Sequence, residues 1–412
     1  MARNWPRLPA HETLEDAALA APAGWSVVPI EALYDQLPVG KRFEQKGTSD
    51  SGLVPVIDQS ADSVIGWHNE EPGIQASPQR PVVTFANHTC EMRVMRRPFS
   101  VIQNVFPLVG KPSVCSTGFL YYVTKGRVHL EEYKGHYPDF RRKWIPVPPL
   151  AEQHAIAEIL GTLDDKIELN RRMNDTLESM ARALFKSWFV DFDPVRAKAE
   201  GRQPSGMDAE TAKLFPSEFV ESELGEIPKG WTLRAVGDLA ILSGGKQLQR
   251  ELIFEDGTIP VFGGAGIMGF TAGHNADRFV ISVGRVGAYC GQFFSHRGKA
   301  WINNNASLIR PNNERFAEWL FIALTHANID IIKKGAAQPF VSNGDIARLK
   351  VLWPGEEAIG AFSQQLVPLL NARDANDAES KTVARLRGEL LPRLLSGELS
   401  ACHDPRVAEP VP

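Results

Sequence analysis

The chain has 412 residues, 43% hydrophobic and 23% charged, with a formal net charge of −4. That length exceeds what one hydrophobic core serves and predicts two or three domains. The negative balance excludes a chain that coats nucleic acid indiscriminately, and no run approaches the ~18 apolar residues of a membrane-spanning helix.

In chain order, residues 1–23 are rich in Ala and Pro and predict a loosely held arm. The opening Met1-Ala2-Arg3-Asn4-Trp5-Pro6 has no apolar signal core, so secretion is not expected. Residues 24–148 predict a mixed α/β domain, with β-type runs Val54–Ile57, Pro81–Phe85 and Gly118–Val123 between Gly, Pro and Asn punctuation. From Ser77 to Ile145, eleven basic residues (Arg80, Arg93, Arg96, Arg97, Lys111, Lys125, Arg127, Lys134, Arg141, Arg142, Lys143) face four acids (Glu91, Glu131, Glu132, Asp139). This local excess reads as a confined anion-binding face, with a merely solvated face as its rival.

A helix follows over residues 149–192. Ile156, Leu160, Leu163, Ile167, Asn170, Asn174, Leu177, Ala181, Leu184 and Trp188 alternate at spacings of four and three, a heptad seam. From Gln153 to Val190 such a helix would be roughly 57 Å long. Asp191-Phe192-Asp193-Pro194 should stop it, and residues 193–229 predict an acidic surface linker with one short helix at Asp208–Leu214.

The second half repeats the first. Gly24-Trp25 returns as Gly230-Trp231 and Pro148 as Pro354, both 206 residues later. Residues 230–354 predict a second mixed domain, with an amphipathic helix over Ala317–Ile332. Residues 355–397 predict a second long helix, whose seam carries Phe362, Leu366, Leu369, Arg373, Asn376, Ser380, Val383, Arg387, Leu390 and Leu394. Pro368 should kink that helix or end a first short one, and Ser396-Gly397 should cap it before a 398–412 tail. Neither stripe can be hidden alone, so the two helices are expected to pair antiparallel. Asn170 and Asn376 occupy equivalent seam positions, where buried Asn fixes register at a cost in stability. Met180 and Leu386 flank the seams 206 residues apart. The fold class is α+β: two mixed α/β domains separated by two long antiparallel coiled-coil helices, in a pseudo-two-fold internal repeat.

Sites for chemistry are sparse. Gly264-Ala265-Gly266-Ile267-Met268-Gly269 satisfies G-x-G-x-x-G, but turn-like residues and a strand follow it where a dinucleotide site needs a helix. The ten His show no metal-ligand spacing, and Asp191 and Asp193 read as helix-end caps before metal ligands. Cys90, Cys115, Cys290 and Cys402 form no Cys-x-x-Cys pair, so no disulfide framework or zinc site is indicated and the cytoplasm is the expected compartment. What remains is polar, basic and in loops: Asn87, His88, Thr89, Arg93, Arg96, Gln103, Asn104 and Lys111 in the first half, and Lys246, Arg285, Lys299, Asn303 and Asn304 in the second. Arg with guanine, and Asn or Gln with adenine, are natural bidentate pairs, while Arg or Lys on phosphate supplies affinity. These clusters point to a reader of duplex DNA.

Pro148-Pro149-Leu150-Ala151-Glu152-Gln153, Ala183-Leu184-Phe185-Lys186-Ser187-Trp188-Phe189-Val190-Asp191-Phe192 and Gly225-Glu226-Ile227-Pro228-Lys229-Gly230-Trp231 make the chain resemble a known family. Gly284-Arg285-Val286-Gly287 and Leu390-Leu391-Pro392-Arg393-Leu394-Leu395-Ser396-Gly397 extend the likeness to the specificity subunits of type I restriction–modification enzymes. The resemblance implies two target-recognition domains, each reading half of a bipartite double-stranded DNA sequence. It implies a helical spacer, with partner contacts, along Leu160, Leu163, Ile167, Asn170, Leu177, Leu184, Leu366, Leu369, Asn376, Val383 and Leu390. It further implies a non-catalytic chain that binds no cofactor itself, with two modification (methyltransferase) subunits and a restriction (motor–nuclease) subunit supplying S-adenosylmethionine, ATP and Mg chemistry. Glu356-Glu357 departs from the Glu152-Gln153 of the first copy. Competing readings are an autonomous DNA methyltransferase or nuclease with cryptic motifs, the specificity module of a related non-type-I phage-defence system, and a coiled-coil scaffold without DNA preference.

Overall fold

A computed structural model describes residues 5–60, 64–129, 135–223, 225–335 and 338–401. Of the residues named above, Met1–Asn4, Glu131, Glu132, Lys134 and the tail from Cys402 lie outside these ranges. The chain divides into two compact units, residues 1–172 with 376–412, and residues 173–375.

The described strands of the first unit are β1 (Ser26–Pro29), β2 (Tyr34–Gln36), β3 (Val54–Ile57), β4 (Val64–His68), β5 (Val82–Ala86), β6 (Met92–Met95), β7 (Ser100–Val101), β8 (Val105–Gly110) and β9 (Trp144–Val147). They form a β1-β9 ribbon, a sheet in the order β2-β8-β5-β6 and a smaller sheet β4-β3-β7. β5 is buried along its whole length, which its Val-Val-Thr-Phe run suits. The second unit opens with a hairpin of β10 (Phe219–Ser222) and β11 (Gly225–Pro228). It continues with β12 (Thr232–Ala235), β13 (Ala240–Gly244), β14 (Ile259–Gly263), β15 (Gly266–Thr271), β16 (Phe279–Gly284), β17 (Phe293–Arg297), β18 (Trp301–Ile302), β19 (Ala306–Pro311) and β20 (Lys350–Trp353). Its sheets are β12-β20, β13-β19-β16-β17 and β15-β14-β18, the same topology again.

The likeness extends to register. Ser26 pairs with Val147, and Thr232 with Trp353, both residues 206 later. β3 and β14 each carry a bulge, at Val56/Ile57 and Val261/Phe262, and each takes a short parallel partner, β7 or β18. Between these fixed points the loops differ in length: β5 and β16 begin 197 residues apart, yet β9 and β20 are again 206 apart.

Two helices of 40 residues, Leu150–Phe189 and Glu356–Leu395, run from one unit into the other. Within the first unit Asp164 meets Arg387, Lys166 meets Glu379 and Asn170 meets Asn376, so the helices are antiparallel. Within the second, Glu178 meets Arg373 and Phe185 meets Phe362, in the same sense. Of the seam residues, Leu160, Ile167, Asn170 and Leu366 are buried, and Leu163, Leu177, Leu184, Leu369, Asn376, Val383 and Leu390 half-buried. The first core takes Ile156 and Leu160 from one helix with Leu391, Leu394 and Leu395 from the other. The second takes the residues 206 positions away in each case: Phe362 and Leu366 with Phe185, Trp188 and Phe189. Aromatic side chains thus stand in one unit where leucines stand in the other. Asn170 is fully buried, and its Nδ2 donates to the Asn376 carbonyl (3.3 Å), Glu379 Oε2 (3.0 Å) and Ser380 Oγ (3.3 Å), while its Oδ1 has no partner among the described residues.

Six expectations need correction. Gly118–Val123 is no strand but lies in the helix Thr117–Thr124, capped by Ser116, whose Oγ accepts from the Phe119 N–H at 3.2 Å. Pro368 does not end or divide its helix: it and Gln364, whose carbonyl loses its N–H partner, both lie on the exposed side, where the group is open to solvent rather than buried unpaired. The described part of the arm is firmly held, because Trp5 stacks on Tyr122, its Nε1 donates to the Lys125 carbonyl (3.0 Å), and Leu8 and Ala17 are buried. Residues 193–229 are no surface linker, since Val195 and Phe215 are buried and Phe215 packs edge-on to Trp188 at 5.2 Å. Their helices are Asp193–Ala199, entered through Pro194, and Ala209–Lys213, capped by Asp208. The helix from Ala317 ends at His326, and a separate 3₁₀ turn capped by Asn328 covers Ile329–Ile332. Finally, the residue 206 after Gln153 is Ile359, not Glu357. Gln153 holds the Ser116 N–H and the Val114 and Pro148 carbonyls, whereas Ile359 is plain core.

These contacts set opposite signs for two seam substitutions. Leu366→Ala should destabilise the chain by about 2–5 kcal/mol. Asn170→Leu should leave the unfolding midpoint unchanged or raised, since the amide is buried and half-satisfied. A fall for Asn170→Leu as large as for Leu366→Ala contradicts this account of the seam.

Candidate nucleic-acid interface

Three loops converge at one edge of the first unit. They are the β3–β4 loop from Asp58, the β5–β6 loop Asn87–Glu91, and the Ile102–Asn104 turn into β8. Gln59 Oε1 accepts from the His88 N–H (2.9 Å), and the Thr89 hydroxyl donates to the Gln59 carbonyl. Asp58 lies 3.6 Å from Arg93, Asn104 Nδ2 lies 3.3 Å from His88 Nε2, and the Asn87 N–H donates to the Asn104 carbonyl (2.9 Å). Asn87, His88, Thr89, Arg93 and Asn104 are therefore brought together, with exposed Gln103 beside them. Asn87 is also structural, its Oδ1 accepting from the Tyr137 N–H at 2.9 Å.

The same three loops meet in the second unit. Gly264-Ala265 turns between β14 and β15, which makes the glycine-rich segment a hairpin. The Arg285–Gln292 loop joins β16 to β17, and Asn303–Asn305 leads into β19. The Arg285 N–H donates to the Asn305 carbonyl (3.1 Å), as Asn87 does to Asn104, and the Asn303 N–H to the Phe262 carbonyl (2.9 Å), as Ile102 does to Ile57. Gly284 is required here, because a Cβ would stand 2.3 Å from the Gly264 carbonyl oxygen. Exposed Lys246 joins through its N–H on the Ile302 carbonyl (2.9 Å), and Asn304 is exposed. Asn303 is buried, its Oδ1 accepting from the Asn304 N–H (2.8 Å), so its role is to shape the turn. Sequence reasoning missed Asp58, Gln59, Ile267, Met268 and Tyr289; the repeat itself was the available signal, since it marks which loops are equivalent.

Other candidates sit elsewhere. Arg96 pairs with Asp165 of the long helix, and Arg97 lies over the Trp67 ring at 5.1 Å. The Lys111 ammonium is 3.4 Å from the Glu31 carbonyl, and Lys299 is exposed just before β18. The basic stretch does not form one open face. Lys125 pairs with Glu91 at 2.8 Å, Arg141 with Glu31 at 2.7 Å and Lys143 with Glu12. Arg127 is buried under the arm, where loss of water lowers its pKa to about 10. Glu12, Glu31, Asp58 and Asp165 are distant in sequence, so a local charge count could not see them.

Chemistry at these loops is that of hydrogen bonding. Cys90 and Cys290 lie in the two equivalent loops, and burial raises both thiols, Cys90 to about 12, so they stay protonated and unreactive near neutral pH. Among the described residues, no three His, Cys, Asp or Glu side chains gather to hold a metal.

Two units with one frame and different loops define a recognition protein. The chain belongs to the type I restriction–modification specificity family: residues 89–179 and 228–371 match the "Type I restriction modification DNA specificity domain". It is 30% identical over 318 residues to the type I restriction enzyme HindI specificity subunit of Haemophilus influenzae, covering 62% of this chain and 69% of that one. It is 26% identical over 343 residues to the MjaIX specificity subunit of Methanocaldococcus jannaschii, covering 74% of each. In fold it is similar to the crystal structure of the S subunit of the M. genitalium type I system, with a TM-score of 0.59, 18% identity, and 90% of this chain and 96% of that one covered.

The sheet behind the first loop cluster carries a pH-sensitive contact. His68 is buried against Phe43 (4.0 Å between rings); its Nδ1 accepts from the Glu70 N–H (3.1 Å), so in the neutral ring Nε2–H faces Ser100 Oγ at 2.9 Å. Burial lowers its pKa below the ordinary 6.5. The stabilisation is thus complete above 6.5 and is lost as pH falls through the lower folded value. Denaturation midpoints should drop as pH falls below about 6.5, and less so in His68→Gln. Equal pH profiles for the two proteins contradict this assignment.

Proposed function

We infer that this chain is the DNA-reading, non-catalytic subunit of a type I restriction–modification assembly. Each unit presents its three-loop edge to one half of a bipartite, asymmetric duplex target. The observation that carries this reading is the duplicated frame with dissimilar loops, since two different half-sites require one scaffold with two sets of reading residues. Asn87, His88, Thr89, Arg93, Gln103 and Asn104 serve the first half-site, and Lys246, Arg285 and Asn304 the second. Arg96, Lys111 and Lys299 remain candidates for backbone phosphate.

The helix pair is the proposed seat of two modification subunits, which bring S-adenosylmethionine and methylate adenine; restriction subunits bring ATP- and Mg-dependent translocation and cleavage. The described residues contain no helix long and apolar enough to cross a membrane, and the proposed place of action is the cytoplasm, where the DNA is.

Exchanging residues 24–148 for those of a relative with a different target should change one half of the methylated sequence and leave the other intact. Loss of both halves contradicts the two-reader assignment. Cleavage or methyl transfer by the purified chain alone, with Mg²⁺ and labelled S-adenosylmethionine, contradicts the non-catalytic one.

A further inference from the structure

Arg285 and Asn87 occupy one frame position in the two units. Each follows the last residue of a buried central strand, and each donates its backbone N–H to the equivalent carbonyl, of Asn305 or Asn104. Their side chains differ in what they meet. The Asn87 amide is engaged by the Tyr137 N–H, whereas the Arg285 guanidinium has no hydrogen-bond or carboxylate partner among the described residues, and its Nε is buried without one. The mount beneath it is rigid: the Arg285 carbonyl accepts from the Val341 N–H at 2.9 Å and faces Cys290 Sγ at 3.4 Å. A shielded, unsatisfied guanidinium N–H is costly, and a ligand offering paired acceptors to this group offsets that cost.

Two kinds of acceptor suit a guanidinium, a phosphate and the edge of guanine. Phosphate sites in loops are built from free backbone N–H groups. Here five of the eight N–H groups of the Arg285–Gln292 loop, those of Arg285, Gly287, Cys290, Gly291 and Gln292, donate to carbonyls of the same unit. Beside the polar Asn304 and Asn305, the same edge exposes Val286, Met268 and Phe340. Such neighbours suit base edges and thymine methyl groups better than an ionic backbone. Val286 bridges to Phe340, and Met268 Sδ lies 3.4 Å from Asn303 Nδ2, so this collar stands on the same three-loop edge.

We propose that Arg285 reads a guanine of the second half-site, donating to its O6 and N7 from the major groove. This rests on the function proposed above and adds the base and the residue. The test uses the assembled methyltransferase complex. Methylated adenines are mapped with the unaltered chain to give the target, then with Arg285→Lys and Arg285→Ala. Both variants should keep the first half-site and lose selectivity at one G·C pair of the second, by roughly 5- to 150-fold, the range for one bidentate contact. Placing 7-deazaguanine there, which removes N7, should weaken binding of the unaltered complex and leave Arg285→Ala unaffected. An unchanged target overturns the proposal. So does uniform weakening on all sequences with a salt slope lower by about one, the mark of a phosphate contact. If the unaltered complex yields no bipartite target, the function reading falls, and this proposal with it.

Discussion

The structure depends on a shared seam. Each core is closed by side chains from two places that are far apart in the chain: Ile156 and Leu160 with Leu391, Leu394 and Leu395 in one unit, and Phe362 and Leu366 with Phe185, Trp188 and Phe189 in the other. A recognition unit therefore cannot complete its hydrophobic interior from its own contiguous segment. Each core contains side chains of both helices, and the same contacts fix the antiparallel register of those helices. Asn170, buried with half of its amide satisfied, makes sense in this setting as a register device that stability alone would not favour.

That constraint separates what is held constant from what varies. The β1-β9 and β12-β20 ribbons and the ends of both helices keep one spacing of 206 residues, and the bulged β3 and β14 differ from it by one residue, because each contributes to the cores or to their closure. The loops between them carry no such duty, and the intervals between equivalent strands stretch and shrink accordingly. The first unit fills its loop edge with mutually bonded polar groups: Gln59, His88, Thr89 and Asn104. The second places glycines, exposed apolar side chains and one unpartnered guanidinium there. A protein that presents two unlike sets of reading groups on one repeated frame suits a ligand with two unlike halves.

The long-range plan was legible in the sequence because it rests on periodicity and repetition. The heptad spacing from Ile156 to Trp188 marked the helix, and the 206-residue interval marked the frame. What the sequence concealed came from contacts between distant segments. Trp5 finding Tyr122, Phe215 finding Trp188, and Glu12 and Glu31 neutralising Lys143 and Arg141 turned a presumed arm, a presumed linker and a presumed basic face into packed structure. Pro368 differs for another reason: on the solvent side of a long helix held by its opposite face, one lost hydrogen bond does not end the helix. The loop residues were recognisable by type, but only the fold shows that Asn303 is buried while the Arg285 guanidinium has no partner among the described residues.

The most direct measurement of the central claim is a dimethyl sulfate footprint, which reads guanine N7 and adenine N3, of the assembled complex on a duplex carrying its methylation target. Two tracts of base-edge protection on either side of an unprotected interval is the predicted pattern, one tract for each loop edge. A single continuous tract, or one tract assigned to only one unit, would contradict it.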